Sequence, residues 1–275
     1  MSADPIQLPQ DPPTWAVVTG ASEGIGRAFA QALAARGYSL VLVARRGPLL
    51  VALANELKGA YGTECPVFEA DLARPGSIAS LVMATCRLDV DMLVAAAGFG
   101  TSGDLLDAPL EAELGMLDLN CSSVLALCWH FGQRFRQRGG GNIVLMSSLL
   151  AFHGVPRAAH YAATKAYVQT LAEGLRVELA PYGIDVIASA PGPVATGFAL
   201  RANLKMSRAL DPQVVARQTL HALGRKTTVR PGWLSKLLGW SLAILPRWGQ
   251  VRVITQVMKG MTAHQDRERE ASQLR

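Results

Sequence analysis

Short apolar runs recur along the chain, and longer segments with apolar residues on one face separate them. Short apolar runs that end in glycine, serine or charged residues are typical of strands buried inside a parallel sheet. Seven such strands are predicted: Trp15–Thr19, Ser39–Val43, Pro66–Ala70, Met92–Ala97, Ile143–Met146, Ile184–Ala188 and Thr228–Arg230.

The segments between these strands predict helices. The spacing of apolar residues favours helices over Arg27–Arg36, Leu49–Lys58, Ser77–Cys86 and Val214–Leu223, and Leu110–Arg138 forms two helices or one long bent helix. Strands that alternate with helices of this length indicate an α/β fold, in which helices cover both faces of a parallel sheet. Right-handed crossovers leave few topologies for such a sheet.

The composition indicates a globular protein and argues against some classes of partner. The 275 residues are half hydrophobic, which predicts a substantial core in one large domain or two small ones. The net charge of +6 is spread without a run of five basic residues, which argues against nucleic acid as a primary partner. The four cysteines lack metal-binding or redox spacing, so we predict no metal site and expect buried free thiols in a reducing, cytoplasmic compartment.

The two ends of the chain predict segments outside the sheet. Residues 1–13 are polar with four prolines, which predicts an extended leader rather than a signal sequence. Residues 263–275 are highly charged and predict a frayed helix or a disordered tail. No uninterrupted apolar run approaches the roughly 20 residues of a membrane span. The longest, Trp233–Leu245, contains Lys236 and is followed by Pro246.

A glycine-rich turn follows the first predicted strand. It runs Gly20-Ala-Ser-Glu-Gly24-Ile-Gly26 and leads into a predicted helix. Glycines allow a phosphate to approach the backbone closely, and the helix N-terminus offers free N–H groups and a positive dipole end. The turn therefore predicts a phosphate site, although a tight turn without a ligand has the same composition.

Two arginines, Arg45 and Arg46, follow the second predicted strand. In a dinucleotide-binding unit this strand ends beside the adenosine ribose, where an acidic residue would bind the 2′-hydroxyl. Guanidinium groups suit a 2′-phosphate instead and favour NADP over NAD. The alternative is a solvated surface pair.

Chemically useful residues also follow the later strands. They are Asp71-Leu72, Gly98-Phe99-Gly100, Ser147-Ser148 and the loop Pro191-Gly-Pro-Val194-Ala-Thr196. Ligand sites in open α/β sheets form at the carboxyl ends of the strands, so these residues are expected to converge.

Tyr161 and Lys165 lie four residues apart in a segment with helical composition. On a helix the two side chains share a face, and a nearby ammonium group is expected to lower the pKa of the phenol. The pair is a candidate general acid or base. By itself it has little weight, because such pairs are common on solvated helix surfaces.

With these motifs in this order, the chain resembles a classical short-chain dehydrogenase/reductase. The resemblance rests on the turn from Thr19 to Gly26, Asp71-Leu72, the helical Asn120, Ser148, Tyr161-x-x-x-Lys165 and the Pro191-Gly192 loop ending at Thr196. It covers roughly residues 14–198, and six motifs in order argue strongly against chance. The family implies one Rossmann-type domain, a three-layer sandwich with strand order 3-2-1-4-5-6-7.

The resemblance also implies a reaction and a role for each residue. A hydride would pass between the nicotinamide and a carbonyl carbon, Tyr161 would exchange the proton, and Ser148 would stabilise charge on the oxygen. Lys165 would hold the nicotinamide ribose, and Asn120 would bind a water that connects Lys165 to solvent. The implied cofactor contacts are Gly20, Ser22, Glu23, Gly24, Ile25, Gly26, Arg45, Arg46, Asp71, Leu72, Ala96, Ala97, Gly98, Tyr161, Lys165, Pro191, Gly192, Val194 and Thr196.

One motif departs from the family. After the fourth strand the family usually has Asn-Asn-Ala-Gly, whereas this chain has Ala95-Ala96-Ala97-Gly98. The asparagines normally brace the sheet and the cofactor wall, so the polar contacts at this point are in doubt.

The family pattern fades after Thr196. Residues 197–230 occupy the position of the substrate lid, and Phe198, Leu204 and Met206 there fit an amphipathic flap or an ordinary surface helix. Residues 231–262 form a hydrophobic extension whose segment 233–261 has three tryptophans. It would pack as extra core, wall a substrate tunnel or dimer contact, or lie in a membrane interface, and we favour packing or oligomerisation.

We therefore expect a cytoplasmic, NADP-preferring carbonyl reductase or alcohol dehydrogenase for a steroid, a long-chain 3-oxoacyl group or a xenobiotic ketone. Dimers or tetramers would form through Leu110–Arg138 and Tyr161–Leu179. Two alternatives stay open. One is a 3-oxoacyl thioester reductase whose acidic carrier would meet Arg201, Lys205 and Arg208. The other is a non-catalytic NADP-binding regulator, against which the intact Ser148, Tyr161 and Lys165 argue.

Overall fold

Seven parallel strands form the sheet of the computed structural model, which describes residues 14–205 and 209–273. The strands are β1 (Trp15–Thr19), β2 (Ser39–Ala44), β3 (Val67–Glu69), β4 (Val90–Ala95), β5 (Gly141–Met146), β6 (Ile184–Ser189) and β7 (Thr228–Val229). Their order is β3-β2-β1-β4-β5-β6-β7, which confirms the predicted fold. The predicted leader 1–13 lies outside the described residues, as do Met206 and Arg208.

Helices cover both faces of this sheet. They are α1 (Gly24–Ala34), α2 (Gly47–Tyr61), α3 (Ser77–Ala84), α4 (Leu110–Leu117), α5 (Ser123–Arg138), α6 (Ala159–Leu179), α7 (Phe198–Arg201), α8 (Pro212–Ala222), α9 (Trp233–Ala243) and α10 (Arg247–Gln273). Alternate residues of each strand point to opposite faces. Val18 of β1 thus packs in the core under α1, α2 and α8, and Val17 packs in the core under α3, α5 and α6. Two separate cores result, as a three-layer sandwich requires.

Helix α1 begins three residues earlier than the glycine pattern predicts. Gly24, Ile25 and Gly26 form its first turn instead of preceding it. The glycines are needed for close backbone packing rather than to interrupt the helix. As a result, the N-terminus of α1 lies directly at the carboxyl end of β1.

The segment predicted as two helices or one bent helix is continuous. A π-helical turn, Asp118–Ser122, joins α4 to α5 and contains Asn120. Such turns are rare and cluster at functional sites. By length and composition, Leu110–Arg138 is apolar enough to cross a membrane. Half of the most apolar 18-residue stretch of this segment is buried, and Phe131 and Phe135 lie in the core against the sheet, as in a core helix of a folded domain.

The predicted hydrophobic extension folds back on the domain. Leu242 of α9 and Ile254 and Met258 of α10 pack with Val155 and Ala162 around the start of α6. The predicted charged tail continues α10 as far as Gln273, which corresponds to the helical alternative of the prediction.

The cysteines are free thiols in the described residues, but only two of them are fully buried. Cys121 and Cys128 are buried as expected, Cys65 is partly buried, and Cys86 is exposed. The prediction fails at Cys86 because α3 ends at Ala84, which leaves Cys86 in the turn that follows.

Candidate active site

A cavity of about 680 Å³ lies at the carboxyl ends of the strands. Every residue predicted to contact the cofactor lines it, from Gly20 of the first turn to Thr196 after β6. Ser148, Tyr161 and Lys165 line the same cavity, whereas Asn120 lies behind its wall. One half of the cavity is rich in glycine and lies at the loops that follow β1 to β4. The other half is apolar and is formed by the lid and the two C-terminal helices.

The glycine turn forms a close-fitting backbone cradle. Gly20 has φ +68°, and a Cβ atom at this position would lie 2.8 Å from the amide nitrogen of Ala97. A Cβ atom on Gly26 would lie 2.3 Å from the carbonyl oxygen of Gly20. Side chains are excluded here, so the backbone N–H groups and the positive end of α1 face the cavity directly. The cradle fits the diphosphate of a dinucleotide.

The two arginines after β2 lie at the rim of this cradle. Arg46 donates to Ser22 Oγ over 2.9 Å and pairs with Glu23 over 2.8 Å. Arg45 lies 4.0 Å from the carboxylate of Asp71. Both guanidinium groups are about half exposed and line the cavity. A fixed cluster of cationic donors therefore stands where the adenosine ribose of a dinucleotide would lie.

Thr19 supplies the brace that the missing asparagines left in doubt. Its hydroxyl accepts hydrogen bonds from the amides of Ala96 and Ala97, each over 3.1 Å, and lies 3.4 Å from the carbonyl of Val94. The end of β1 thereby holds the loop after β4 in place. Sequence reasoning missed this role, although a threonine at the end of an otherwise apolar strand was a signal for it.

Asn120 is fully buried in the π-helical turn. Its amide nitrogen donates to the carbonyl of Phe99 over 2.8 Å and to Thr164 Oγ1 over 3.0 Å, and its oxygen accepts from the Phe99 amide. Both amide hydrogens are used by protein partners. The side chain therefore ties the loop after β4 to α6, and a relay water could meet only its oxygen or the main chain.

Tyr161 and Lys165 occupy the first turns of α6, facing the end of β5. The Tyr161 phenol lies beside Ser148, whose own Oγ accepts a hydrogen bond from the amide of Leu150. Lys165 Nζ donates to the carbonyl of Met146 over 2.9 Å and lies 5.8 Å from the centre of the Tyr161 ring. The structure thus brings the three side chains together at the junction of the two halves of the cavity.

The pKa of Tyr161 moves opposite to the prediction. Burial raises it to about 12, and the neighbouring Ser148 hydroxyl offsets this only in part. The expected lowering by Lys165 was wrong for the protein alone, because the desolvation of the phenolate outweighs a cation that is itself desolvated. Burial lowers the pKa of Lys165 from 10.5 to about 8.

Replacing Lys165 by methionine should therefore stabilise the cofactor-free protein in a pH-dependent way. Below pH 8 Lys165 is charged in both the folded and the unfolded protein, so folding carries the full cost of desolvating the charge. Above pH 10.5 the lysine is neutral in both the folded and the unfolded protein. Because the unfolded chain binds more protons between these values, wild-type stability rises there with pH. We expect the advantage of Lys165→Met to shrink by roughly 3 kcal/mol across this window.

Urea unfolding at a series of pH values measures this difference. The exposed Lys259→Met is the matched control. The same pH trend in both variants would contradict the assignment to Lys165.

The apolar half of the cavity is built by residues distant in sequence. Phe198 and Leu204 of the lid line it together with Leu242, Val257 and Met261 of the C-terminal extension. The Phe198 ring lies 5.2 Å from the Tyr161 ring. Of the three predicted roles for 233–261, the structure thus supports a cavity wall together with core packing. Leu149, Leu150 and Met258 also line this half and were not predicted as site residues.

Known proteins share this architecture and this sequence pattern. The short chain dehydrogenase profile matches residues 14–206. The 7beta-hydroxysteroid dehydrogenase of Collinsella aerofaciens is 30% identical over 230 residues, covering 81% of this chain and 87% of that protein. The very-long-chain 3-oxoacyl-CoA reductase of Phaeosphaeria nodorum is 29% identical over 275 residues, covering 94% and 78%.

A solved structure is similar to this chain in both sequence and fold. The short-chain dehydrogenase from Sphingobium yanoikuyae in complex with NADPH is 31% identical, with a TM-score of 0.74 over 80% of this chain and 86% of that one. The matched region contains the glycine cradle, Ser148 and the Tyr161–Lys165 pair. The chain therefore belongs to the short-chain dehydrogenase family and is an oxidoreductase that transfers a hydride with a nicotinamide cofactor.

Proposed function

We propose that this protein interconverts a bulky hydrophobic ketone and its secondary alcohol with NADP(H), with Tyr161 as the proton-transferring residue. One observation carries the proposal. The Tyr161 phenol, beside Ser148, lies where the glycine-rich half of the cavity meets its apolar half. A group at this junction contacts both a cofactor in one half and a substrate in the other.

The chain's residues divide the work as follows. The cofactor, when bound, gives or takes the hydride. With a pKa of about 12 in the protein alone, the phenol of Tyr161 carries its proton at neutral pH and can donate it to the carbonyl oxygen. Ser148 Oγ stabilises charge on that oxygen. Lys165 binds the ribose and, when charged, favours loss of the Tyr161 proton, while Asn120 positions α6 against the loop after β4.

The preference for NADP rests on the charge at the end of β2. Arg45 and Arg46 present cationic donors there, and Ser22 adds a hydroxyl. The nearby carboxylates of Glu23 and Asp71 are each paired with an arginine, which weakens their ability to bind a ribose hydroxyl. The relative from Sphingobium yanoikuyae was solved with NADPH. Asp71 and Leu72 would contact the adenine, and Val194 and Thr196 would hold the nicotinamide carboxamide, since all four line the cavity.

The apolar half of the cavity supports a large hydrophobic substrate. It is walled by leucine, valine, isoleucine, methionine and phenylalanine side chains from five segments of the chain. The two curated relatives are named for a hydroxysteroid and for a very-long-chain 3-oxoacyl-CoA. A steroid-like or long-chain ketone fits both the lining and these names, and a xenobiotic ketone of similar size fits the lining.

The acidic-carrier alternative loses one of its three cations. The Arg201 guanidinium lies 3.9 Å from the centre of the Phe99 ring and lines the cavity. Arg208 lies outside the described residues. Among the described residues this leaves Arg201 engaged with the Phe99 ring and Lys205 exposed, so we favour free or coenzyme A-linked substrates over carrier-bound ones.

Self-association is supported by exposed apolar residues on the predicted helices. Leu110, Leu114, Leu125 and Trp129 are exposed along α4 and α5, and Tyr167 and Val177 are exposed on α6. Exposed apolar side chains on neighbouring helices are typical of an oligomer contact. We propose a homodimer or homotetramer that works in the cytoplasm.

A panel of ketones scored by NADPH oxidation tests the proposal. Steroid and long-chain ketones should be reduced, and acetone-sized ketones should react far more slowly. Leu204→Asp places a charge in the apolar wall, so it should raise KM for a large ketone about tenfold or more. The Kd of NADPH should not change, because Leu204 lies in the other half of the cavity.

Met83→Asp, on an exposed position of α3, is the control for adding a charge. Equal turnover of small and large ketones by the wild type would refute the substrate class. Reduction with NADH alone would refute the cofactor.

A further inference from the structure

The last third of the chain has a charge imbalance that the proposed reaction does not use. No acidic residue occurs between Asp211 and Asp266, whereas this segment has eight arginines and lysines. The remainder of the chain, with 19 basic and 21 acidic residues, is slightly acidic. The whole positive net charge of the protein thus comes from one stretch, and such a stretch attracts an anionic surface.

The two helices of this stretch also expose large apolar side chains. Trp233 is 71% exposed and Trp248 is 72% exposed. Together with Leu237, Ile244, Val253 and Val257 they form what we call the hairpin surface, which lies on α9, α10 and the turn between them. Lys236, Arg247, Arg252 and Lys259 are exposed on the same two helices.

The hairpin surface borders the mouth of the cavity. Val253 and Val257 line the cavity and are also exposed to solvent. They form one row along α10, and Trp248 and Arg252 form the neighbouring row, because residues four apart share a helix face. Tryptophan beside arginine and aliphatic residues is typical of a helix that lies in a membrane interface.

We propose that the hairpin surface docks on an anionic lipid bilayer and that hydrophobic substrate enters the cavity from that bilayer. The docking stands on the charge and exposure of this surface, and the route of entry rests on the proposed function. Charge decides between a bilayer and a second copy of the chain. Each copy has four exposed cations on α9 and α10, so a symmetric contact between two copies would bring eight cations together. Neither α9 nor α10 before Asp266 has an acidic residue to pair with them, whereas anionic lipid headgroups neutralise them.

Co-sedimentation with vesicles of phosphatidylcholine containing about one third phosphatidylglycerol tests the docking. The full-length protein should sediment with these vesicles and much less with pure phosphatidylcholine. At about 1 kcal/mol per cation, Arg247→Gln with Arg252→Gln should weaken binding roughly 30-fold. Trp233→Ala with Trp248→Ala should weaken it at least about tenfold, since the tryptophans supply the apolar contact.

Tyr61→Ala is the matched control, because Tyr61 is half exposed at the end of α2, outside both the hairpin surface and the helices proposed for self-association. Its vesicle binding should equal that of the wild type. No sedimentation with anionic vesicles, or an equal loss in the control, would overturn the docking. So would a smaller particle mass for Trp233→Ala with Trp248→Ala than for the wild type without lipid, because the hairpin surface would then be a contact between copies.

Turnover separates the docking from the proposed function. Neither Trp233 nor Trp248 lines the cavity, so their double variant should reduce a water-soluble ketone at the wild-type rate. The same variant should be slower, by about the factor lost in vesicle binding, when a steroid ketone is supplied within vesicles. Equal rates from vesicles would overturn the route of entry, and vesicle binding without any ketone reduction would refute the function alone.

Discussion

Tyr161→Phe is expected to lower kcat for ketone reduction with NADPH about 10³-fold, which is the usual size of a general-acid contribution. The variant keeps the ring that packs against Phe198 and removes only the hydroxyl beside Ser148. The fold and the glycine cradle are unaffected, so the Kd of NADPH, measured by its fluorescence, should change no more than a few-fold.

Tyr167→Phe provides the matched control. Tyr167 lies on the same helix but is partly exposed and does not line the cavity, so its variant should keep wild-type turnover. Substantial turnover by Tyr161→Phe would show that another group delivers the proton, and the proposed mechanism would be wrong.

The double variant Arg45→Ala, Arg46→Ala is expected to lose most of the preference for NADPH over NADH. Hydrogen bonds to a charged group contribute about 1.5–3 kcal/mol each, so losing two should raise the Kd of NADPH by roughly 10²–10⁴-fold. NADH lacks the 2′-phosphate, and its Kd should change much less.

The Tm of the double variant should be measured as well, because Arg46 also binds Ser22 and Glu23 of the glycine turn. A Tm equal to that of the wild type shows that the turn is intact. Arg36→Ala, an exposed arginine before β2, controls for the loss of a surface cation. If NADPH and NADH weaken equally in the double variant, the arginines do not bind the 2′-phosphate.

The order of short-range patterns was sufficient for the architecture. Val17 and Val18 pack on opposite faces of the sheet simply because successive side chains of a strand point in opposite directions. The chain motifs likewise sufficed to place Ser148, Tyr161 and Lys165 at one edge, since the carboxyl ends of parallel strands lie together. The exact start of α1 was not predictable, because glycine suits both a turn and a tightly packed helix start.

Other properties depend on contacts between distant segments. The Thr19 hydroxyl holds the amide of Ala96, 77 positions away, where the family normally has an asparagine brace. No local sequence pattern indicates a contact between residues so far apart. The raised pKa of Tyr161 reflects how much water the lid and the C-terminal helices exclude. The composition of 233–261 left core packing, a tunnel wall or dimer contact, and a membrane interface open, with packing or oligomerisation favoured, and the fold makes parts of it core and cavity wall.

Local sequence therefore determined the strands, the helices, their sheet order through the family motifs, and the chemical groups at the candidate site. These follow from side-chain periodicity and backbone conformation, which act over a few residues. Tertiary structure alone determined the electrostatics of Tyr161 and Lys165, the brace from Thr19 and the apolar wall from α10. The reason is that desolvation and packing depend on every segment that surrounds a group, including segments a hundred residues away along the chain.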